Sequence, residues 1–389
     1  MYWIVETTVT GVPTIGFVFA VYVWAVFLIR LVYAIRHLNV GESTNIDCSV
    51  VIPVFDENPC VFGRCLTSLR ANHRGEVVVV VNGFWDDAEK IVSISKSHDA
   101  EVLRQDQADK RLAIVGGCLE AKGEIIILLD SDTTVEPDAV EKILQPFSIS
   151  DIGGVCGRQR IRNSHCSLVA RISDWLESLR FLINQRSQSH FGAVGCLPGR
   201  MIAIRRDVIL RNAENFANQT VLGIRCKSGD DRYLTSCCLR EGYKTVLRSD
   251  ALVFTESPTG WRNFLLQQLR WARSSQRETI LSVSWLFHHP FTFFCFVIDI
   301  VTPVFFLVVA YNYFFGAEVW KSGVLHLLIL TWVFATFSLG LRQFPHLAQH
   351  VRDILILPVF TIIAATLVFV RVYGLLTCLL SGWMTRSTK

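Results

Sequence analysis

Hydrophobic and polar positions divide the chain into a globular middle and strongly apolar flanks. Residues 14–35, TIGFVFAVYVWAVFLIRLVYAI, run apolar up to Arg30. That is close to the ~20 residues a bilayer-spanning helix needs, with Arg30 able to snorkel toward the headgroups. A cleaved signal peptide is the competing reading, but no basic stretch precedes the run and no small-residue cleavage site follows it. Residues 291–315 and 323–340 are two further apolar runs with a short loop between them. Residues 353–380 are also apolar but contain Arg371, and they read as an interfacial or re-entrant helix, a fourth span being the alternative. Arg30, Arg36 and His37 follow the first run and Glu6 precedes it, while the loop 341–352 carries Arg342 and Arg352. The excess of basic residues puts the N-terminus outside and residues 41 onward in the cytosol. The expected cellular site is the plasma membrane, crossed several times, with the globular domain on the cytoplasmic side.

The middle has a different pattern. Residues 48–55 (CSVVIPVF), 76–81 (EVVVVV) and 124–129 (EIIILL) are short β-rich runs without alternation. Such runs predict strands buried on both faces of a parallel sheet. Polar, helix-length stretches at 60–72 and 84–98 separate them. Strand and helix in alternation predict an open α/β sheet whose ligand crevice lies at the carboxyl ends of the strands. The first strand ends in Pro53-Val54-Phe55-Asp56-Glu57-Asn58, the second in Asn82-Gly83 and then Asp86-Asp87, the third in Asp130-Ser131-Asp132-Thr133. Any one acidic turn is ordinary. Asp-x-Asp closing an apolar strand is more specific, because it offers hard oxygen ligands suited to Mg²⁺ or Mn²⁺. Such an ion would sit on a diphosphate and stabilise the charge that grows as it leaves. Lys110-Arg111, before the third strand, could face the same group or could be a solvated basic pair. No Walker lysine motif and no GxGxxG is present, so neither a P-loop nor a dinucleotide fold is supported.

Composition changes this picture little. Half of the 389 residues are hydrophobic, too many for an ordinary soluble protein, yet 19% are charged, too many for a pure membrane bundle. The net charge of +4 includes no basic run, so nucleic acid is not an expected partner. Twelve cysteines without CxxC pairs fit reduced thiols in the cytosol rather than a disulfide framework or a zinc site.

A series of motifs in order carries a resemblance: VVIPVFDE (50–57), DKR (109–111), LLDSDT (128–133), IGGVCGRQR (152–160), VGCLPGRMIAIR (194–205), SGDDRYLT (228–235), ESPTGW (256–261), QQLRW (267–271) and WMTR (383–386). With these the chain resembles the family 2 processive glycosyltransferases over about residues 48–386. That group includes hyaluronan, chitin and cellulose synthases, and the resemblance is nearest to the pneumococcal type 3 capsule synthase. It implies a GT-A-type cytosolic domain with a mostly parallel sheet, joined to transmembrane and interfacial helices. The implied division is a transmembrane helix in 1–40, the catalytic domain in 41–260, an interfacial QxxRW helix in 261–286, two transmembrane helices in 287–340, an interfacial or re-entrant helix in 341–380 and a gating tail in 381–389.

The resemblance also implies roles. Asp231 is the general base. Asp132 holds Mg²⁺ or Mn²⁺. Pro53, Glu57, Asn82, Lys110, Arg111, Asp130 and Asp132 belong to the nucleotide side. Asp230, Gln267, Arg270 and Trp271 belong to the acceptor and diphosphate. Trp383, Thr385 and Arg386 belong to a gating loop, with Met384 where the family has glycine. Asn82 stands where many relatives have aspartate to read uracil, and an amide can still hydrogen-bond a base. The implied reaction polymerises UDP-glucose with UDP-glucuronate. Hyaluronan, a single-sugar glucan or chitin, and transfer to a lipid carrier are the alternatives. The expected partners are UDP-sugars, the growing polysaccharide and the bilayer, with a homo-oligomer left open.

Overall fold

In the computed structural model, residues 2–42, 45–315 and 324–380 are described. The apolar runs become strands β1 Cys48–Val54, β2 Val77–Asn82 and β4 Ile125–Leu129, every residue of which is buried. β1 pairs in parallel with both of the others. Alternate side chains serve two cores. Val50, Ile52, Val79 and Ile127 pack with Phe62 and Ile91 on one face. Val51, Val80, Ile126 and Leu128 pack with Ile114 and Cys118 on the other. Two buried faces explain why these strands carry no polar alternation.

The sheet is wider than these strands. Edge strand β3 Glu101–Gln105 joins β2 in parallel. Beyond β4 lie β5 Thr134–Val135, β6 Ile152–Ile161, β7 Met201–Arg205 and β10 Lys244–Thr255, in the order β3-β2-β1-β4-β7-β6-β10-β5. β7 is antiparallel to both of its neighbours, while β6 and β10 pair in parallel. A two-stranded ribbon, β8 Thr220–Val221 with β9 Ile224–Arg225, stands apart. The result is the expected mostly parallel, GT-A-type sheet.

Nine helices matter for the site and its surroundings: α1 Tyr2–Ile35, α2 Pro59–Asn72, α3 Lys110–Glu120, α4 Leu168–Leu179, α5 Asp230–Arg240, α6 Trp261–Leu286, α7 Pro290–Phe315, α8 Val324–Arg342 and α9 Leu357–Leu376. Among the described residues three helical segments are long and apolar enough to cross a membrane: Ile15–Ile35, Pro290–Asn312 and Val351–Leu376. The apolar stretch of α8, Leu328–Arg342, is shorter.

Two features were not visible in the sequence. Arg30 does not snorkel. It is buried, and its guanidinium donates to Asp299 of α7 at 2.9 Å, to Asn184 at 3.0 Å and to the Cys295 carbonyl at 3.2 Å. A neutralising partner inside the helix bundle removes the need to reach the headgroups. The second feature is α9, which lies along α6 with both ends against the catalytic side. At its start, Phe360 stacks on Trp175 of α4, 4.2 Å between ring centres. At its end, Gly374 packs so closely on Ala272 that an added Cβ would come within 2.6 Å of the Ala272 Cβ. Just beyond, Arg273 donates to the Thr377 hydroxyl at 2.9 Å. The loop leading into α9 is docked on the same domain, through Trp175 to Gln343 at 2.7 Å, Arg158 to Gln349 at 3.0 Å and Arg171 to Asp353.

Candidate active site

The carboxyl ends of β1, β2 and β4 meet in one crevice, as sheet topology requires. Asp130 and Asp132 leave β4 in a tight turn in which Thr133 N–H donates to the Asp130 carbonyl at 3.0 Å. Lys110 begins α3, whose N-terminus is capped by the Asp109 carboxylate accepting from the N–H groups of Arg111 and Leu112. Its ammonium lies 2.8 Å from Asp130 and 3.1 Å from Asp230. Burial opposes that charge, but the two carboxylates outweigh it and hold the ammonium above the usual lysine range. Lys110 therefore ties the β4 turn to the start of α5.

Asp230 and Asp231 are the first residues of α5, following Gly229 at φ +90°. Only glycine adopts that backbone without strain, and it turns the two acids into the crevice. Their surroundings shift them in opposite directions. Burial works against ionising Asp230, yet Lys110 and Arg111 depress its pKa. For Asp231, burial and the neighbouring Asp230 raise the pKa. One Asp231 oxygen accepts from the Arg232 N–H at 2.8 Å, the other from the Gly199 N–H at 3.3 Å. A half-buried carboxylate with a raised pKa is poised to accept a proton.

Helix α6 supplies the opposite wall. Gln267, Arg270 and Trp271 line a cavity of about 290 Å³ together with Lys110, Asp130, Asp132, Asp230 and Asp231. A second cavity of about 340 Å³ shares Lys110, Asp130, Asp132, Gln267 and Arg270 and extends to Pro53, Phe55 and Asn82. Asn82 commits its side-chain oxygen to the Asp109 N–H at 2.9 Å and the Gln105 amide at 3.1 Å. Its amide nitrogen is then the group left for a ligand. Asp132 faces both cavities, with the Thr133 and Thr255 hydroxyls each 3.4 Å away. Among the described residues no group of three or more His, Cys, Asp or Glu forms a metal cage. The donor set suits a hard divalent ion bound by one carboxylate, its shell completed by water and phosphate oxygens.

Two sequence-predicted residues are not brought to the crevice. The Arg111 guanidinium is buried and donates to the carbonyls of Phe216 at 2.8 Å and Ser228 at 3.4 Å. Successive helical residues point ~100° apart, so Lys110 faces the crevice while its neighbour faces the core. Arg111 braces the loop before Gly229, where Arg277 of α6 also donates to the Ser228 carbonyl. Glu57 turns onto the Asp-x-Asp loop and accepts from the Ser131 hydroxyl at 2.9 Å. Trp383, Thr385 and Arg386 lie outside the described residues.

The sequence reading assigned no role to Glu177, Arg180, Cys196, Arg200 or Asp299. Cys196, Arg180, Arg200 and Asp299 line the 290 Å³ cavity. The Arg180 and Arg200 guanidiniums lie 5.9 and 5.5 Å from the Trp271 ring centre. Glu177 is buried between them, and although burial opposes its charge, Arg200 and Arg180 keep its pKa low. Arg200 stands within VGCLPGRMIAIR, but Glu177 and Arg180 carry no local signal.

Comparison with known proteins agrees with this fold. Residues 46–274 match the family model described as glycosyltransferase like family 2. The chain is 30% identical to an N-acetylglucosaminyltransferase of Rhizobium meliloti and 32% to one of Azorhizobium caulinodans, over 61% and 60% of its length. It spans 57% and 61% of those two relatives, under two thirds of each. It is 26% identical to a hyaluronan synthase of Streptococcus pyogenes over 89% of its own length and 84% of the relative's. The fold is similar to that of a mannosyltransferase of Pyrobaculum calidifontis, solved with GDP-Man and Mn²⁺, with a TM-score of 0.62 at 16% identity over 90% of this chain and 98% of that one. By the match across its catalytic core, this chain belongs to glycosyltransferase family 2.

Proposed function

We propose that the protein is a membrane-embedded, inverting, processive glycosyltransferase that polymerises UDP-sugars, in the leading reading UDP-glucose with UDP-glucuronate. The observation that carries this is the meeting of Asp132, Asp231, Arg270 and Trp271 on one cavity. Asp231 takes the proton of the acceptor hydroxyl. The freed oxygen attacks C1 of the donor sugar from the face opposite the diphosphate, the C1–O bond breaks with its electrons, and UDP leaves. Arg270 offers the departing diphosphate a guanidinium fork. Trp271 offers a flat apolar face to the acceptor ring. Asp132 would hold Mg²⁺ or Mn²⁺, which supplies countercharge to the diphosphate; the mannosyltransferase of similar fold supports a divalent ion here. Pro53, Asn82 and the second cavity receive the nucleotide.

The similarity to hyaluronan synthase over most of the chain favours a second reading, UDP-N-acetylglucosamine with UDP-glucuronate. Membranes incubated with radiolabelled UDP-sugars, singly and in pairs, separate the two. High-mass product only from UDP-glucose with UDP-glucuronate supports the leading reading. Product from UDP-N-acetylglucosamine with UDP-glucuronate replaces it by the second. A short, lipid-extractable product replaces both.

The position of α9 along α6 brings the chain to the QxxRW helix just before residue 381. A further cavity of about 340 Å³ shares Arg180, Arg200, Trp271 and Asp299 with the catalytic cavity and reaches Arg30, Leu367 and Arg371. This supports an exit for the polymer toward the helix bundle.

The paired acids make a pH prediction. Transfer needs Asp231 ionised, so the rate falls on the acid side as Asp231 takes up a proton. Its pKa is raised in part by Asp230, so Asp230→Asn lowers it and the acid limb of kcat moves to lower pH. An acid limb that stays in place, or moves up, contradicts the assignment.

A further inference from the structure

We propose that Arg180 and Arg200 form a carboxylate-binding subsite that selects an acceptor chain ending in a hexuronate. The proposal rests on the polymerising function above and deepens it. The cavity beside Trp271 is walled by acids, several of which pair with a cation. Asp230 has Lys110, Asp299 has Arg30, and Glu256 has Arg64 at 2.7 Å. Glu177 faces two guanidiniums, Arg200 at 2.9 Å and Arg180 at 3.4 Å. One carboxylate, Glu177, is thus shared by both guanidiniums, and Asp231 also acts on Arg180.

The geometry of the two arginines fits a ligand. Arg200 reaches Glu177 and the Gln159 side chain, at 2.8 Å, through Nη1, and Arg180 reaches Glu177 through Nη1 as well. Among the described residues no protein acceptor meets the Nε–Nη2 edge of either. That edge is the one that takes a carboxylate in two parallel hydrogen bonds. Both guanidiniums flank Trp271, the platform for the acceptor ring. A hexuronate stacked there would extend its C5 carboxylate toward the ring's edge, into reach of the fork. Without these two cations, that carboxylate would meet only like charge from Glu177 and Asp231.

The backbone is shaped to present these groups. Helix α4 does not end in a regular turn but passes into one wide π-type turn, Arg180–Gln185. Such turns are rare and cluster at functional sites. This one brings Arg180, Asn184 and Gln185 to the cavity. Arg200 is fixed from the other side, because its carbonyl accepts the Asp130 N–H at 3.1 Å.

The test uses the full chain in bilayers, with two oligosaccharide acceptors. One ends in glucuronate at its non-reducing end, and the other is the same molecule with that carboxyl reduced to a hydroxymethyl. Each is extended by one residue from UDP-glucose or UDP-N-acetylglucosamine. The wild type will show a KM about 10-fold or more lower for the carboxylate acceptor, the size of a charge-assisted hydrogen bond. Arg200→Gln will raise that KM about 10-fold and leave the KM for the reduced acceptor and for the donor unchanged, while Arg200→Lys recovers part of the loss. Equal use of both acceptors by the wild type overturns the proposal, and that comparison needs no variant. A rise in both KM values in Arg200→Gln also overturns it and makes Arg200 a support for Trp271. If only neutral oligosaccharides are extended, the subsite falls and the polymerising function stands. If no acceptor is extended from any UDP-sugar, the function falls and takes the subsite with it.

Discussion

Replacing Asp231 with asparagine will lower sugar transfer by about 10³-fold or more while leaving UDP affinity nearly unchanged. Removing a general base commonly costs 10²–10⁴-fold, and here the loss sits at the upper end because no second carboxylate is free to substitute. Asp230 and Asp130 are both paired with the Lys110 ammonium. Asparagine keeps an oxygen for the Arg232 N–H, so the start of α5 is preserved. Calorimetric titration with UDP beside a radiolabel transfer assay reads both quantities. A parallel loss of UDP binding would make Asp231 a structural residue of the crevice.

The second large effect is expected at Asp132. Asp132→Asn keeps the side-chain volume and its contacts with Thr133 and Thr255 but removes the charge that faces both cavities. Turnover will fall about 10²–10³-fold, the scale of losing one electrostatic contact to a developing anion. UDP-sugar binding in the wild type will strengthen with added Mn²⁺ and weaken with EDTA, and in the variant this difference will vanish. A variant that still binds UDP-sugar in a Mn²⁺-dependent way shows that another group holds the ion.

How much of this was legible in the sequence depended on whether a residue's partner was local. β1, β2 and β4 could be read because strands buried on both faces are apolar throughout. β3 could not, since Glu101–Gln105 is an edge strand of mixed polar and apolar, partly exposed side chains. β7 lay inside a recognised motif, yet nothing in MIAIR reveals that it runs against its neighbours. The acids of the crevice were legible because strand ends and a helix start must converge there. Arg111 was misplaced because adjacency in sequence is not adjacency on a helix. Arg30 was read as snorkelling because its carboxylate partner is 269 positions away. The Glu177–Arg180–Arg200 wall depends on a wide turn after α4, which no local pattern announces.

The central claim is that this cavity polymerises UDP-sugars processively, and product size at very low donor consumption tests it most directly. The full chain in bilayers is given the active UDP-sugar pair, and products are sized after about one hundredth of the donor has been used. A processive polymerase, holding its product on Trp271 and in the adjoining cavity, will yield high-mass polymer from the earliest time beside unused primer. A ladder of short oligosaccharides that lengthens evenly with time would contradict the account.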